Sequence, residues 1–232
     1  MMYRAKDSKQ QGEKMKILMI GNSATYYNDV PGILSNLISE NGMEVTVHSA
    51  TKGGARLSNA LSEETPQHEK LCALLSENKY DVLFLQEHGI HGILDTDGFT
   101  ESAAMLCNMV KAPRTILYVP CARKEGNEAM KKRGWTAREM TEKAYSVYTD
   151  VAASLGAELS PATVCFMNIL EKHPDAPLHA EDMAHPSLLG SCVIATTLYR
   201  TLIGKMPESF AAVDVAEKYF EIIEETVEKY GK

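Results

Sequence analysis

Residues 15–29 read MKILMIGNSATYYND, a short apolar run that stops at Gly21, Asn22 and Ser23 and is followed by two tyrosines. Apolar residues on consecutive positions fit a strand covered on both faces, because a half-solvated strand would alternate apolar with polar. The run is expected to form a strand over 16–20, with Gly21 giving the backbone freedom for a sharp exit and a helical pattern starting near 30. Ser23 therefore stands where a buried strand runs out. Two readings are open on this stretch alone. Ser23 is a nucleophile exposed at the sheet edge near a helix N-terminus, which favours developing negative charge, or it is a turn or capping residue.

Outward from this point, short apolar runs alternate with longer amphipathic stretches. Further strands are expected over 44–50, 81–86, 115–120 and 157–166, and helices over 30–41, 67–78, 98–111, 137–155, 187–203 and 211–229. Strand, helix, strand, repeated, predicts an α/β chain with a parallel sheet and helices on both faces. Such sheets bind ligands at the carboxyl ends of their strands. No internal repeat or Pro/Gly/Ser-rich linker divides the sequence. A single domain over 15–232 is expected, preceded by a disordered extension over 1–14.

The composition narrows the function classes. The chain has 232 residues, 44% hydrophobic and 24% charged, with a formal net charge of −7. The acidic balance argues against nucleic acid or an anionic membrane as a partner and fits a small-molecule substrate better. At this length no disulfide or metal is needed for stability, and the five cysteines include no CxxC pair. The N-terminus is polar, and no apolar stretch approaches the ~20 residues of a membrane span, so a cytoplasmic protein is the default expectation.

Two further segments fall at strand ends, and a third leads into the helix expected over 187–203. In TKGGARLS, 51–58, the Gly53–Gly54 pair could let the backbone approach a ligand and aim an N–H at an oxyanion, or form an ordinary turn. In FLQEHG, 84–89, Gln86 and Glu87 emerge from a buried run, and a side-chain amide is a good oxyanion donor because it brings N–H without a charge. In EDMAHPSLLGS, 181–191, Asp182 and His185 can meet in a tight turn, where the carboxylate would fix the imidazole tautomer.

Gly21-Asn22-Ser23, Gly53-Gly54, Gln86 and Asp182-x-x-His185-Pro186 occur in the order and rough spacing of the SGNH/GDSL hydrolase superfamily, which the chain resembles over about 15–204. The pattern is similar to the branch that starts Gly-Asn-Ser, with sialate O-acetylesterase-like and other carbohydrate esterases. The resemblance implies a flavodoxin-like three-layer αβα sandwich around a five-stranded parallel sheet. It implies Ser23 as nucleophile, His185 as general base and then acid, and Asp182 as the residue that orients it. It implies an oxyanion hole from the backbone N–H groups of Ser23 and Gly54 and the side-chain amide of Gln86. Gln86 stands where asparagine is usual, which puts the reach of the third donor in question. The implied reaction is hydrolysis of a small acyl ester, acetyl first among candidates, on a carbohydrate or related polyol, with no cofactor and no metal.

Other features complete the expectations. Asn22, Tyr26, Arg56, Glu87 and Trp135 are candidate substrate contacts, with Trp135 packing on a sugar face. Trp135 lies in 122–138, which holds six basic and two acidic residues and is read as a loop beside the site or as a solvated basic face; Arg123 or Lys124 could there meet an anionic group. Of Tyr26 and Tyr27, one is expected in the pocket and the other in the core. His173, Asp175, His179, Glu181, Asp182 and His185 are dense, but their intervals match no recognised zinc pattern, and no metal is expected. Cys121, at a strand end without an assigned base, is expected to be a small buried residue. Val215, Tyr219, Ile222 and Val227 mark a covering helix, with a dimer contact as its alternative and no other sign of homo-oligomerisation. From a different class, a flavodoxin-like non-catalytic module binding a small molecule or glycan is the alternative; it lacks a Gly-rich phosphate loop and gives no reason for Asp182 and His185.

Overall fold

The apolar runs form parallel strands in the computed structural model, which describes residues 14–211 and 219–231. The strands are β1 (Met15–Gly21), β2 (Val45–Thr51), β3 (Val82–Leu85), β4 (Arg114–Tyr118) and β5 (Glu158–Ser160). They pair side by side in the order β2-β1-β3-β4-β5, all parallel. The helices of the first half are α1 (Ser23–Tyr26), α2 (Val30–Glu40), α3 (Leu57–Leu61), α4 (Pro66–Glu77), α5 (Gly89–Leu94) and α6 (Thr96–Val110). Those of the second half are α7 (Glu128–Lys131), α8 (Ala137–Leu155), α9 (Ala162–Lys172), α10 (Leu188–Ile203) and α11 (Phe220–Tyr230).

Alternate residues of a strand point to opposite faces, so each run feeds two cores. Ile17, Met19, Phe84, Ile116 and Tyr118 face one core, which Leu34 and Leu37 of α2, Phe166 of α9, Val193 of α10 and Val227 of α11 complete. Leu18, Ile20, Leu83, Leu85 and Leu117 face the other, covered by Leu57 of α3, Leu71 of α4, Phe99 of α6 and Tyr148 of α8. Burial on both faces explains why no period-2 alternation is visible in these runs. The result is a three-layer αβα sandwich. β1 sits beside both β2 and β3, the point where the strand order reverses and where parallel α/β sheets open a crevice.

Two expectations about elements need correction. The run 157–166 is not one strand: β5 ends at Ser160, and Pro161 precedes α9. The apolar positions after Pro161 belong to a buried helix, which consecutive apolar residues cannot separate from a buried strand. Gly21 is not there for an unusual dihedral. A Cβ at Gly21 would lie 2.3 Å from Thr25 Oγ1 and 2.8 Å from Gln86 Oε1, so its role is to leave room where β1 meets the β3 end. The expected extension falls on 1–13, outside the described residues apart from Lys14. Val215 also lies outside them, while α11 covers the sheet through Ile223 and Val227.

The end of β3 is held from α8. The buried Tyr148 hydroxyl accepts from Glu87 N–H at 2.8 Å and donates to Glu87 C=O at 3.0 Å. Tyr148→Phe leaves that buried N–H unpaired and is expected to lower unfolding stability by about 1–3 kcal/mol in urea denaturation. Unchanged stability would show that the hydroxyl does not hold this strand end.

Candidate active site

Asn22 turns the end of β1 into α1. Its side-chain oxygen accepts from Ala24 N–H at 3.0 Å, capping the helix, and its Nδ2 donates to Ala55 C=O at 2.9 Å. One residue thus fixes Ser23 at a helix N-terminus and ties it to the 52–55 turn, leaving Asn22 only 4% exposed. In that turn Gly54 has φ of +67°, a conformation that disfavours any side chain. Among the described residues the N–H groups of Ser23 and Gly54 have no acceptor within the chain, and both residues line one cleft.

The segment 178–187 brings Asp182 and His185. His179 pairs antiparallel with Pro186, Ala180 N–H donates to His185 C=O at 2.9 Å, and Met183 takes φ of +58° at the tip. This tight turn lets Asp182 Oδ1 accept from the N–H groups of Ala184 and His185, each at 2.9 Å. Asp182 Oδ2 then meets His185 Nδ1 at 2.5 Å, and His185 Nε2 meets Ser23 Oγ at 2.7 Å. Burial raises the Asp182 carboxyl, but the hydrogen bonds from the His185 ring and from the two N–H groups outweigh it and hold it at about 2. Asp182 is ionised throughout the neutral range. The carboxylate fixes the proton on Nδ1, so Nε2 presents a lone pair to Ser23.

Two aromatic and amide contacts steady the imidazole. Tyr27 stacks on His185 with ring centroids 4.5 Å apart and planes 6° from parallel. Asn28, at φ of +51°, donates through Nδ2 to Pro186 C=O at 3.0 Å and to Ser191 Oγ at 2.9 Å, joining Ser23's turn to the histidine's. The expectation that one tyrosine enters the core is corrected: Tyr26 is 41% exposed with its hydroxyl beside Gly53, and Tyr27 is half-buried against His185.

The cleft holds about 200 Å³. Besides Ser23, Gly54 and His185, its walls include Ile90, Pro120, Cys121 and Met140, with His88 and Arg123 as polar members. Burial pushes the Cys121 thiol up to about 12, so it carries no nucleophilic thiolate at neutral pH. Burial, and then the neighbouring His91 and Arg123, push His88 down to about 4. His88 Nδ1 accepts from His91 N–H at 3.3 Å, which leaves Nε2 to carry the proton of this neutral ring. Strand-end position was the one sequence signal for His88, which directly follows Gln86 and Glu87.

Gln86 is not brought to this cleft. It is 1% exposed, its Oε1 accepts from Asn22 N–H at 3.0 Å and Thr25 Oγ1 at 2.8 Å, and its Nε2 donates to Glu87 C=O at 2.5 Å. Its place at the strand end serves to brace Ser23's turn from below. Glu87 and Arg56 line a neighbouring cleft of about 190 Å³ with His91 and Asp95. There Glu87 accepts from Leu57 and His88 N–H groups, and burial raises its carboxyl. Arg56 meets His91 Nε2 at 3.2 Å and Asp95 at 3.8 Å. Trp135 packs in a satellite cluster with Met130 and Met140 under Arg133 and Lys143; Met140 lines Ser23's cleft, and Trp135 itself does not. Among the described residues no group of three or more His, Cys, Asp or Glu is placed to hold a metal ion, and no helix is long and apolar enough to cross a membrane.

A protein from Slackia heliotrinireducens assigned as an SGNH hydrolase superposes on this chain with a TM-score of 0.69 at 28% identity, over 82% of this chain and 99% of its own. The chain has the SGNH hydrolase fold and resembles that superfamily. A DUF4886 family protein from Bacteroides uniformis shares the fold more extensively, with a TM-score of 0.78 over 94% of this chain and 96% of its own, at 16% identity. Axe2, an acetylxylan esterase from Geobacillus stearothermophilus, has a TM-score of 0.56 at 16% identity over 84% of this chain and 95% of its own. No protein-family model matches this chain, and a search of curated proteins finds no match.

Proposed function

We propose that this chain is a serine esterase that removes a small acyl group, acetyl first among candidates, from a carbohydrate or related polyol. The observation that carries the reading is the unbroken chain from Asp182 through His185 to Ser23, at 2.5 and 2.7 Å, opening on a cleft with two unpaired backbone N–H groups. A serine hydroxyl is a poor nucleophile at neutral pH, so His185 Nε2 takes its proton as Oγ attacks the ester carbonyl. The N–H groups of Ser23 and Gly54 receive the negative charge that develops on the carbonyl oxygen. Each such donor lowers the barrier by about 3 to 4 kcal/mol. The proton on Nε2 passes to the departing alcohol oxygen. Water then repeats the sequence on the acyl-enzyme and regenerates the serine.

The preference for a short acyl group rests on the size of the cleft, about 200 Å³. Its apolar walls, Ile90, Pro120 and Met140, suit a methyl group in contact, and a volume of about 200 Å³ is small for a long chain. The likeness to an acetylxylan esterase is compatible with this reading. The non-catalytic binding alternative gives no reason for the Asp182 to Ser23 chain.

In a series of p-nitrophenyl esters, kcat/KM is expected to be highest for acetate and to fall by at least about tenfold by octanoate, because added methylenes overfill the cleft. A rate that rises with chain length would reject the small-acyl assignment while leaving the esterase assignment in place.

A further inference from the structure

Arg123 is the one cation among the described residues that line Ser23's cleft, and it makes no ion pair or hydrogen bond among them. The chain that carries it is fixed on both sides. His179 Nε2 bonds Ala122 C=O at 3.0 Å, and Lys124 N–H donates to Met183 C=O at 2.9 Å. Both partners belong to the segment that presents Asp182 and His185, so the backbone that carries Arg123 is held in register with them.

Its electrostatic neighbours place its charge inside the cleft. Arg123 acts on His88 and Cys121, which line the cleft, and it feels the attraction of Asp182 and the repulsion of Arg133. Asp182 is committed to His185 and to two backbone N–H groups, and it forms no ion pair with Arg123 among the described residues. Burial lowers the Arg123 pKa, a sign that the half-buried cation lacks full compensation. Within an acidic chain of net charge −7, Arg123 brings a positive charge to a cleft whose described lining includes no carboxylate, an arrangement that favours an anion.

We propose that Arg123, with the neutral His88 Nε2–H beside it, forms a subsite for a carboxylate on the alcohol portion of the ester, so that the substrate is an O-acylated hydroxy acid such as an acetylated uronic acid. The alcohol portion is assigned because an acetyl group carries no charge and takes up the apolar walls. A guanidinium grips a carboxylate through two parallel N–H···O bonds, and an adjacent neutral donor adds a third contact without a second charge to desolvate. The subsite refines the esterase reading and rests on it for the chemistry of the bound molecule, but not for binding itself.

The test uses acetylated galacturonate, its methyl ester, and the free sugars galacturonate and galactose. In acetate release, the wild type is expected to favour the free acid over the methyl ester by at least about tenfold in kcat/KM at low ionic strength, with the ratio shrinking in high salt. Arg123→Gln is expected to bring the ratio to about one and Arg123→Lys to leave it intermediate, because an ammonium keeps the charge and loses the fork. Because the ratio is taken within each protein, a change in its overall activity does not enter it. Calorimetric titration of the wild type, which needs no turnover, is expected to give at least about tenfold tighter binding of galacturonate than of galactose. A wild-type ratio near one, equal binding of the two sugars, or a ratio preserved in Arg123→Gln would overturn the subsite. Loss of the subsite with intact Ser23-dependent turnover leaves the esterase reading standing. Selective galacturonate binding without Ser23-dependent turnover leaves the subsite standing and removes the esterase.

Discussion

Ser23→Ala is expected to hydrolyse p-nitrophenyl acetate at no more than about 10⁻⁴ of the wild-type kcat, with KM changed by less than about threefold. The size of the effect follows from what the hydroxyl does. In the proposed reaction it forms the covalent bond, and without it His185 has no proton to take and no acyl-enzyme exists. The cleft keeps its Ser23 and Gly54 N–H groups in the variant, since both belong to the backbone, so a small residual rate over water remains. Asn22 still caps α1 through Ala24 N–H, and a one-atom truncation at a helix start costs the fold little. Activity within about tenfold of wild type would mean that turnover of this ester proceeds elsewhere.

Asp182→Asn is expected to lower kcat by about 10³- to 10⁴-fold while leaving the fold in place. The oxygen that accepts from Ala184 and His185 N–H groups, each at 2.9 Å, can be kept by asparagine, so its new NH₂ must face His185 Nδ1. Two N–H donors cannot face each other. His185 is forced to place its proton on Nε2, which then points a hydrogen at Ser23 Oγ and cannot accept one. A loss of less than about tenfold would show that Asp182 does not set the tautomer. Acidification bears on the same group: with a folded pKa of about 2 against an ordinary 3.8, Asp182 contributes stability that is complete above about pH 4 and lost as the pH falls towards 2. The carboxylate is 46% exposed, so solvent weakens that contribution. Between pH 5 and 8 Asp182 neither changes charge nor changes stability.

The sheet was legible because burial on both faces leaves a direct mark on sequence. Four of the five strands lie within about two residues of the apolar runs that announce them, and α8 spans the expected 137–155. The fifth failed at Pro161, where a three-residue edge strand passes into a buried helix without a change in hydropathy. Ser23 and Gly54 were legible as types at strand ends, since that is where a parallel sheet collects ligands, and Asp182 and His185 by their spacing ahead of α10. Which side-chain atoms face the cleft was not. Gln86 looks like an exposed donor in sequence, but Gly21 opens a space beneath the turn, and the amide fills it between Asn22, Thr25 and Glu87. Tyr27 was legible only as one of a tyrosine pair, and His88 only by its place after a strand end. The stacking of one on His185 and the tautomer of the other depend on contacts between segments up to about 160 residues apart or on a helix cap.

Covalent capture tests the central claim most directly. Wild-type protein treated with a fluorophosphonate probe is expected to gain one phosphonyl group, located by peptide mass spectrometry on Ser23, while Ser23→Ala stays unlabelled. The phosphorus oxygen would then occupy the position facing the Ser23 and Gly54 N–H groups. No adduct on wild-type protein that is folded and at full occupancy of probe, or an adduct on another residue that persists in Ser23→Ala, would contradict a serine nucleophile at this site.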